Sequence, residues 1–390
     1  MAGKGNILNN AYSTFSGQAV GSIRGQTDIK QQVLKIQWSK QLFRVHRITG
    51  LIAGLMLLLL SVTGSMLVFS DEIDHALYAK AYHVTPQTQP RTLQQLMQDA
   101  RQALPGNPYL FFTRLPQAPD ESIVLRAEYA ADHKVYVFLN PYTGKILQQY
   151  SNTDHLTGYV LYLHFTLMGG KTGATIVLIT GIGLFLSILT GIFIYRNSII
   201  KVLTFRVKLE WHNRTRRWRN LHRILGVWAL LFNLLISFTG FMMELKVLDS
   251  RKATKAGYTH LPFTGEYEPL ITKAQSSIPG FQVMGVRPPK KAGDPVRILG
   301  HAHEPAFFGE YASSVFIDAG GNIKKTVDFS KASFGDQFNA CIAPLHFGNY
   351  GGISLKIIYS LLALTPGALS ISGFLIWYRR KFIIKVHNRI

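Results

Sequence analysis

Four histidines stand in two matched settings. Residues 43–50 read FRVHRITG and residues 219–226 read RNLHRILG. His46 and His222 therefore each precede an arginine, Arg47 or Arg223, and each has a glycine four residues on, Gly50 or Gly226. Residues 163–170 read LHFTLMGG and residues 345–352 read LHFGNYGG, which set His164 and His346 ahead of paired glycines. Neutral imidazole is a ligand for haem iron. Two imidazoles on opposite faces of one macrocycle leave the iron no open position, a coordination suited to carrying electrons rather than activating oxygen. Such chemistry requires the four side chains to arrive in pairs.

The elements that must bring them together are apolar helices. Four runs, Ile48–Phe69, Thr172–Tyr195, Ile224–Met243 and Ile357–Tyr378, contain no Asp, Glu, Lys or Arg. A helix of about 20 residues crosses a bilayer, so the chain reads as a membrane protein with four spans. Residues 1–47, 196–223 and 379–390 hold half of the 42 Lys and Arg but only Asp28 and Glu210 among the 21 acids. Cytoplasmic flanks of membrane helices collect Lys and Arg in this way, so the net charge of +21 is a topology signal. It puts both termini and the 196–223 loop inside. No stacking or groove-reading module accompanies the charge, which argues against a nucleic-acid partner. Residues 1–30 lack the apolar core of a signal peptide and read as a Gly-, Ser- and Asn-rich flexible tail. The single cysteine, Cys341, excludes an intrachain disulfide.

The two halves resemble each other. Placing His46 on His222 superposes Thr63-Gly64 on Thr239-Gly240, and placing His164 on His346 superposes Gly191 on Gly373, at offsets of 176 and 182 residues. An in-order repeat of two helices per copy implies a pseudo-twofold axis along the membrane normal. His46 and His222 then share the inner side and His164 and His346 the outer side, each pair suited to one macrocycle. Gly50 and Gly226 lie one helical turn from their histidines and leave room for a flat ring. Arg47 and Arg223 suit haem propionates, and positive-inside charge explains them equally well. A lone histidine at an interface is more often a headgroup contact, and zinc or iron is the rival ligand. Two histidines per side without Asp, Glu or Cys make a poor tetrahedral set.

Other residues are weaker candidates. His301 and His303 share one face of a strand, where a metal is conceivable. His155 has no counterpart in the second half, and His212 reads as a solvated or headgroup residue. Met66 and Met242 align but suit packing. Asn233 is placed to hydrogen-bond across the bundle, and Pro366 to kink the fourth helix. The long segments between helices read as small α+β domains. Helical patterns cover Thr92–Leu104 and Leu270–Ser277, strand patterns cover Ile123–Ala127, Val135–Leu139 and Val315–Ile317, and there are turns at Asn140–Gly144 and Asp318–Asn322.

The stretches HRITGLIAGLMLLLLSVTGSMLVFSDEID, LHFTLMGGKTG with TGIFIYR, LHRILGVWALLFNLLISFTG, and LHFGNYGG with ISGFLIWYRRK resemble the PepSY-associated transmembrane family of bacterial inner-membrane proteins. VYVFLNPYTGKIL is similar to the last strands of a PepSY module. Within the family the likeness runs to FoxB-type ferric-siderophore reductases.

The resemblance implies a cytoplasmic tail at 1–40, transmembrane helices at 41–70, 161–196, 220–245 and 346–379, a basic loop at 197–219 and a basic tail at 380–390. Two periplasmic PepSY-like domains would occupy 71–160 and 246–345. It also implies two haem b per chain, held by His46 with His222 and by His164 with His346. Electrons would pass outward to a ferric siderophore, expected to be of hydroxamate type, from a quinol or cytoplasmic reductant. The second copy has Asp318-Ala-Gly-Gly-Asn322 where the first has the Asn-Pro-Tyr-Thr-Gly turn. The competing expectation is a non-enzymatic accessory that binds a periplasmic partner. A transporter is disfavoured because the helices offer no charged path.

Overall fold

The computed structural model describes residues 6–130, 133–253 and 263–383. Residues 1–5 and 384–390 of the two expected tails, and 254–262 of the second long segment, lie outside them. Helix α1 (Asn6–Leu67) is followed by α2 (Ser70–Leu77), α3 (Ala79–Tyr82), α4 (Leu93–Ala103) and strands β1 (Tyr109–Arg114), β2 (Ile123–Ala130), β3 (His133–Leu139) and β4 (Ile146–Ser151). Then come α5 (Leu156–Thr166), α6 (Gly170–Leu203), α7 (Arg214–Trp228), α8 (Leu230–Ala253) and α9 (Glu268–Ser277). Strands β5 (Gln282–Arg287), β6 (Val296–His301), β7 (Ser313–Ile317) and β8 (Ile323–Val327) follow, and the chain closes with α10 (Phe334–Phe347), α11 (Gly352–Ala363) and α12 (Thr365–Tyr378).

Four stretches are long and apolar enough to cross a membrane: Gln37–Leu67, Gly170–Leu203, Leu230–Ser250 and Gly352–Phe382. This is a membrane protein. Where composition suggests a flexible tail over residues 1–30, α1 instead runs back to Asn6; the first proline of the chain is Pro86, so nothing there breaks a helix. The fourth span divides at Leu364, two residues before Pro366, as that proline leads one to expect. Asn233 does bond across the bundle, its Oδ1 accepting from Thr365 Oγ1 at 2.9 Å, and Ser61 Oγ accepts from the Gly367 amide at 2.8 Å. Hydroxyls and amides of this kind hold helices together where lipid offers no hydrophobic drive.

The two long segments are not separate modules. Their strands form one antiparallel sheet in the order β4-β3-β2-β1-β5-β6-β7-β8, joined where Phe112 pairs with Val286. The larger hydrophobic core lies under one face, with Leu96 and Met97 of α4 and Ala274 of α9 packed on Leu125, Val137, Ile298 and Val315, and a smaller cluster of Ala81, Val124, Phe138 and Tyr150 lies on the other. A half-sheet of four strands exposes an edge, and joining the β1 and β5 edges satisfies both sets of backbone groups. Tyr109 donates to the Pro288 carbonyl at 2.7 Å and Leu115 N to the Met284 carbonyl at 2.8 Å across the same joint. Helix α4 begins where it was expected, with Thr92 and Gln95 forming a reciprocal cap.

Candidate functional site

The structure brings the histidines together in two pairs. His46 on α1 and His222 on α7 have ring centroids 6.2 Å apart, with planes at 89°. His164 on α5 and His346 on α10 have centroids 6.4 Å apart, at 56°. Seventeen residues of α1 separate His46 from Thr63, which touches His164; at about 1.5 Å per residue the pairs stand about 25 Å apart along the bundle. One pair lies at the basic end and the other at the sheet end.

His164, His222 and His346 are not on the spanning stretches themselves, as the expected spans 161–196, 220–245 and 346–379 would have them; His222 lies on α7, just before the third span. His164 and His346 lie on α5 and α10. They sit on the short helices that bring the chain in from the sheet. The chain turns through left-handed conformations at Leu167, Met168 and Gly170 after α5, and at Gly348 and Gly352 after α10. Glycine tolerates this conformation, which is why the paired glycines follow each histidine. Gly173 of α6 packs against the Thr166 carbonyl, leaving no space for a Cβ and holding α5 close to α6.

A second set of residues, not recognised from sequence as site residues, orients every imidazole. Nδ1 of His164 meets Thr63 Oγ1 at 2.8 Å, His346 meets Thr239 Oγ1 at 3.0 Å, and His222 meets Ser372 Oγ at 2.9 Å. His46 Nδ1 donates to the Ser187 carbonyl at 2.8 Å, with Thr190 Oγ1 at 3.3 Å. Each of these four hydroxyls spends its own proton on a carbonyl of its helix: Leu59, Leu235, Leu369 and Leu186. The hydroxyl oxygen is therefore left to accept from Nδ1–H, and Nε2 is the unprotonated nitrogen available to a metal.

The residue after each hydroxyl is a glycine against the same ring. A Cβ at Gly64 would lie 3.0 Å from His164 Cε1, at Gly240 3.1 Å from His346, at Gly191 3.3 Å from His46 and at Gly373 3.5 Å from His222. The recurring signal was a Ser/Thr-Gly dipeptide on the other spanning helix of the same half. Thr63-Gly64 and Thr239-Gly240 had been aligned, and so had Gly191 with Gly373, but nothing in the sequence linked them to particular histidines.

The basic-end pair borders a cavity of about 660 Å³ lined mostly by apolar side chains. Gly50 and Gly226 both face it, and a Cβ at either would meet nothing closer than 3.7 Å. Its cations are Arg47, Arg223, Arg380 and Lys381, and no Asp or Glu among the described residues lines it. Arg223 donates to Ser198 Oγ at 3.1 Å, while its buried Nε has no acceptor among the described residues.

The donor set, the volume and the cationic lining fit a flat, apolar, dianionic macrocycle. An imidazole–metal bond of about 2 Å plus about 1.1 Å from nitrogen to ring centre, taken on both sides, separates two axial rings by about 6.2 Å. Among the described residues no three of His, Cys, Asp and Glu converge, at His301 and His303 or elsewhere, as a closed metal site needs. His303 packs against Gly280, and His155 lies in an aromatic cluster 4.3 Å from Tyr150.

The sheet end is fastened to the bundle by charge. Lys356 of α11, 7% exposed, donates to both Glu72 oxygens at 2.8 and 2.9 Å. Burial alone would raise the Glu72 pKa, but the Lys356 hydrogen bond and charge bring it below the ordinary carboxylate value. Asp74 accepts from Thr157 of α5 at 2.7 and 2.8 Å, and burial, opposed by that bond, raises its pKa.

The family model described as PepSY-associated TM region matches residues 43–380, from just before the first histidine to the end of the last span. No curated protein matches the chain.

Proposed function

From the premise that this chain belongs to the PepSY-associated TM region family, we propose that it is a dihaem reductase of the bacterial inner membrane, which moves electrons outward to a ferric siderophore. The observation that carries this reading is the pair of imidazole pairs, with ring centroids 6.2 and 6.4 Å apart and each Nδ1 committed to a hydroxyl or carbonyl, so that both rings of a pair would be free to hold one metal ion through Nε2. The tandem-repeat reading is supported by the same residues. Each histidine is oriented from its own half and paired with one from the other, as a twofold axis along the membrane normal requires.

His46 and His222 would hold one haem b, and His164 and His346 the other. Haem held by these residues would supply reversible one-electron chemistry. The chain's own residues do the rest. Thr63, Thr239, Ser372 and the Ser187 carbonyl fix the tautomer that leaves Nε2 free. The glycines beside the rings let the helices close on them. Arg47, Arg223, Arg380 and Lys381 offer charge-assisted hydrogen bonds to two carboxylates at the basic end. The basic end is cytoplasmic by the distribution of Lys and Arg, which puts the sheet in the periplasm. No general acid, base or nucleophile is needed. A ferric chelate with hard oxygen ligands holds Fe(II) less firmly than Fe(III), so one electron loosens it.

A reduced-minus-oxidised spectrum of detergent-purified protein, with haem quantified as its pyridine complex, tests the proposal. Two b-type haems per chain are expected. Colourless protein from haem-sufficient cells would overturn it and leave the accessory role.

A further inference from the structure

At the basic end, residues 37–47, 196–223 and 379–383 hold three, nine and three Lys or Arg, and Glu210 is the one carboxylate among these described residues. Glu210 pairs with Arg216 at 3.3 Å. The partners that the structure gives to the other cations are neutral. Arg196 donates to the Phe193 carbonyl at 2.7 Å and Arg223 to Ser198 at 3.1 Å. Arg217 lies over the Trp218 ring at 5.5 Å, and Lys381 over Trp377 at 5.2 Å. None of these contacts cancels a charge.

Three of the arginines also stand where the backbone disfavours them. Arg214, Arg216 and Arg217 fall in the first turn of α7, which holds no acidic residue. The N-terminal end of a helix carries partial positive charge and repels cations. Sidedness in the membrane would be served as well by cations elsewhere in the loop, so it does not account for this placement. The turn itself is well formed, because Asn213 Oδ1 accepts from the Thr215 and Arg216 amides at 3.1 and 3.0 Å. Arg214 and Arg216 are exposed. An anionic partner would supply the charge that the chain withholds.

Position links this face to the basic-end histidines. His222 follows Arg214 by eight residues on α7, about 12 Å along the helix, and Arg214 is at the end farther from the third span. Asn220 donates to the Lys208 carbonyl at 2.8 Å, which ties the preceding loop to α7. The cavity bordered by His46 and His222 has four more of these cations in its lining, Arg47, Arg223, Arg380 and Lys381.

We propose that this face docks the electron donor, and that the donor is a soluble, acidic, one-electron carrier protein. The inference rests on the reductase reading and specifies its donor. The carrier loses one electron and the centre held by His46 and His222 gains it, with no bond or proton changing place. A quinol comes through the bilayer and has no charge for these cations to attract. Anionic headgroups lie at the span ends, and Arg214 stands sixteen residues ahead of the third span at Leu230. A soluble acidic protein is both attracted and oriented by such a field.

The full-length protein in detergent is titrated calorimetrically with oxidised flavodoxin, an acidic one-electron carrier, so that binding is read without electron transfer. Affinity is expected to fall at least about tenfold between about 20 and about 200 mM salt, as screening of exposed charges requires. Arg214→Glu combined with Arg216→Glu should weaken binding about tenfold at the lower salt, and acids at this helix end favour the fold rather than oppose it. In rapid mixing, reduced flavodoxin should reduce the haem bands with the same salt dependence. The double variant should slow that reaction and leave reduction by duroquinol, a neutral quinol, unchanged. Binding that is independent of salt, or unchanged in the double variant, overturns the proposal. A variant that keeps its flavodoxin affinity and loses only copurifying phospholipid also overturns it, and assigns the face to anionic lipid. The haem spectrum of the same samples keeps the two readings apart. Two haems without flavodoxin binding remove the docking face and leave the conduit; flavodoxin binding without haem removes the conduit and leaves the face.

Discussion

The two histidine pairs share a design and differ in what holds them. At the basic end, the imidazoles project from α1, of 62 residues, and α7, of 15, beside a cavity whose lining includes Arg and Lys. At the sheet end they project from α5 and α10, of 11 and 14 residues, which follow the strands and pass through left-handed turns into the spanning helices. The glycine contacts tighten accordingly, from 3.3 and 3.5 Å at the basic end to 3.0 and 3.1 Å at the sheet end. Of the four histidines only His46 lies on a spanning stretch; the other three lie on shorter helices that lead into one. At the sheet end α5 is held to α2 by Thr157 with Asp74, and α2 is held to the fourth span by Glu72 with Lys356.

The largest expected effect tests whether the pairs are separate sites. His222→Ala should remove one haem per chain and leave the sheet-end haem, and His346→Ala should do the reverse, as read by haem stoichiometry and by the surviving reduced spectrum. Loss of both haems in each single variant would break the comparison.

Steric sensitivity should differ next. Gly64→Ala puts a Cβ 3.0 Å from the His164 ring, which must then give by a few tenths of an ångström, whereas Gly373→Ala meets His222 at an ordinary 3.5 Å. Overpacking costs about 1–3 kcal/mol, so Gly64→Ala should deplete the sheet-end haem while Gly373→Ala retains both. The hydroxyls sharpen the contrast further. Thr63→Val should weaken haem retention at the sheet end about 10–100-fold, the usual cost of losing a residue that orients a metal ligand, and Thr63→Ser should restore it. Thr190→Val should do less, because His46 keeps the Ser187 carbonyl at 2.8 Å. A shifted reduction potential in the surviving haem of Thr63→Val would identify a positioning role rather than a purely structural one.

The smallest effect is on the fastening of the sheet. Glu72→Gln strands the buried Lys356 ammonium and should cost about 1–2 kcal/mol at neutral pH, less than a fully buried pair because Glu72 is exposed. The folded-state pKa of Glu72 is lowered, so its stabilisation is fully present above the ordinary value of 4.5 and is lost as pH falls through the folded value. Thermal melts of wild type and variant should diverge at pH 7 and converge in acid. A constant difference across that range would show that the carboxylate charge is not what fastens the sheet.

The sequence alone determined the spans, since about 20 apolar residues without charge have no other stable place than a bilayer. It also showed the four histidines and their division into two kinds, because each kind keeps its own flanking residues. Capped helices such as α4 and strands rich in β-branched and aromatic residues, such as β3 and β7, were legible from local pattern. The fusion of two half-sheets was not, because β1 and β5 are separated by more than 160 residues and each reads locally as an ordinary strand. Only the tertiary structure decided which hydroxyl orients which imidazole, since Thr63 and His164 are 101 residues apart and His222 and Ser372 are 150 apart. Local sequence encodes helix faces and turn propensities; which faces meet is settled by the packing of the whole bundle. The same holds for Arg287 and Arg297, ten residues apart along the chain and directly opposed only in the strand register.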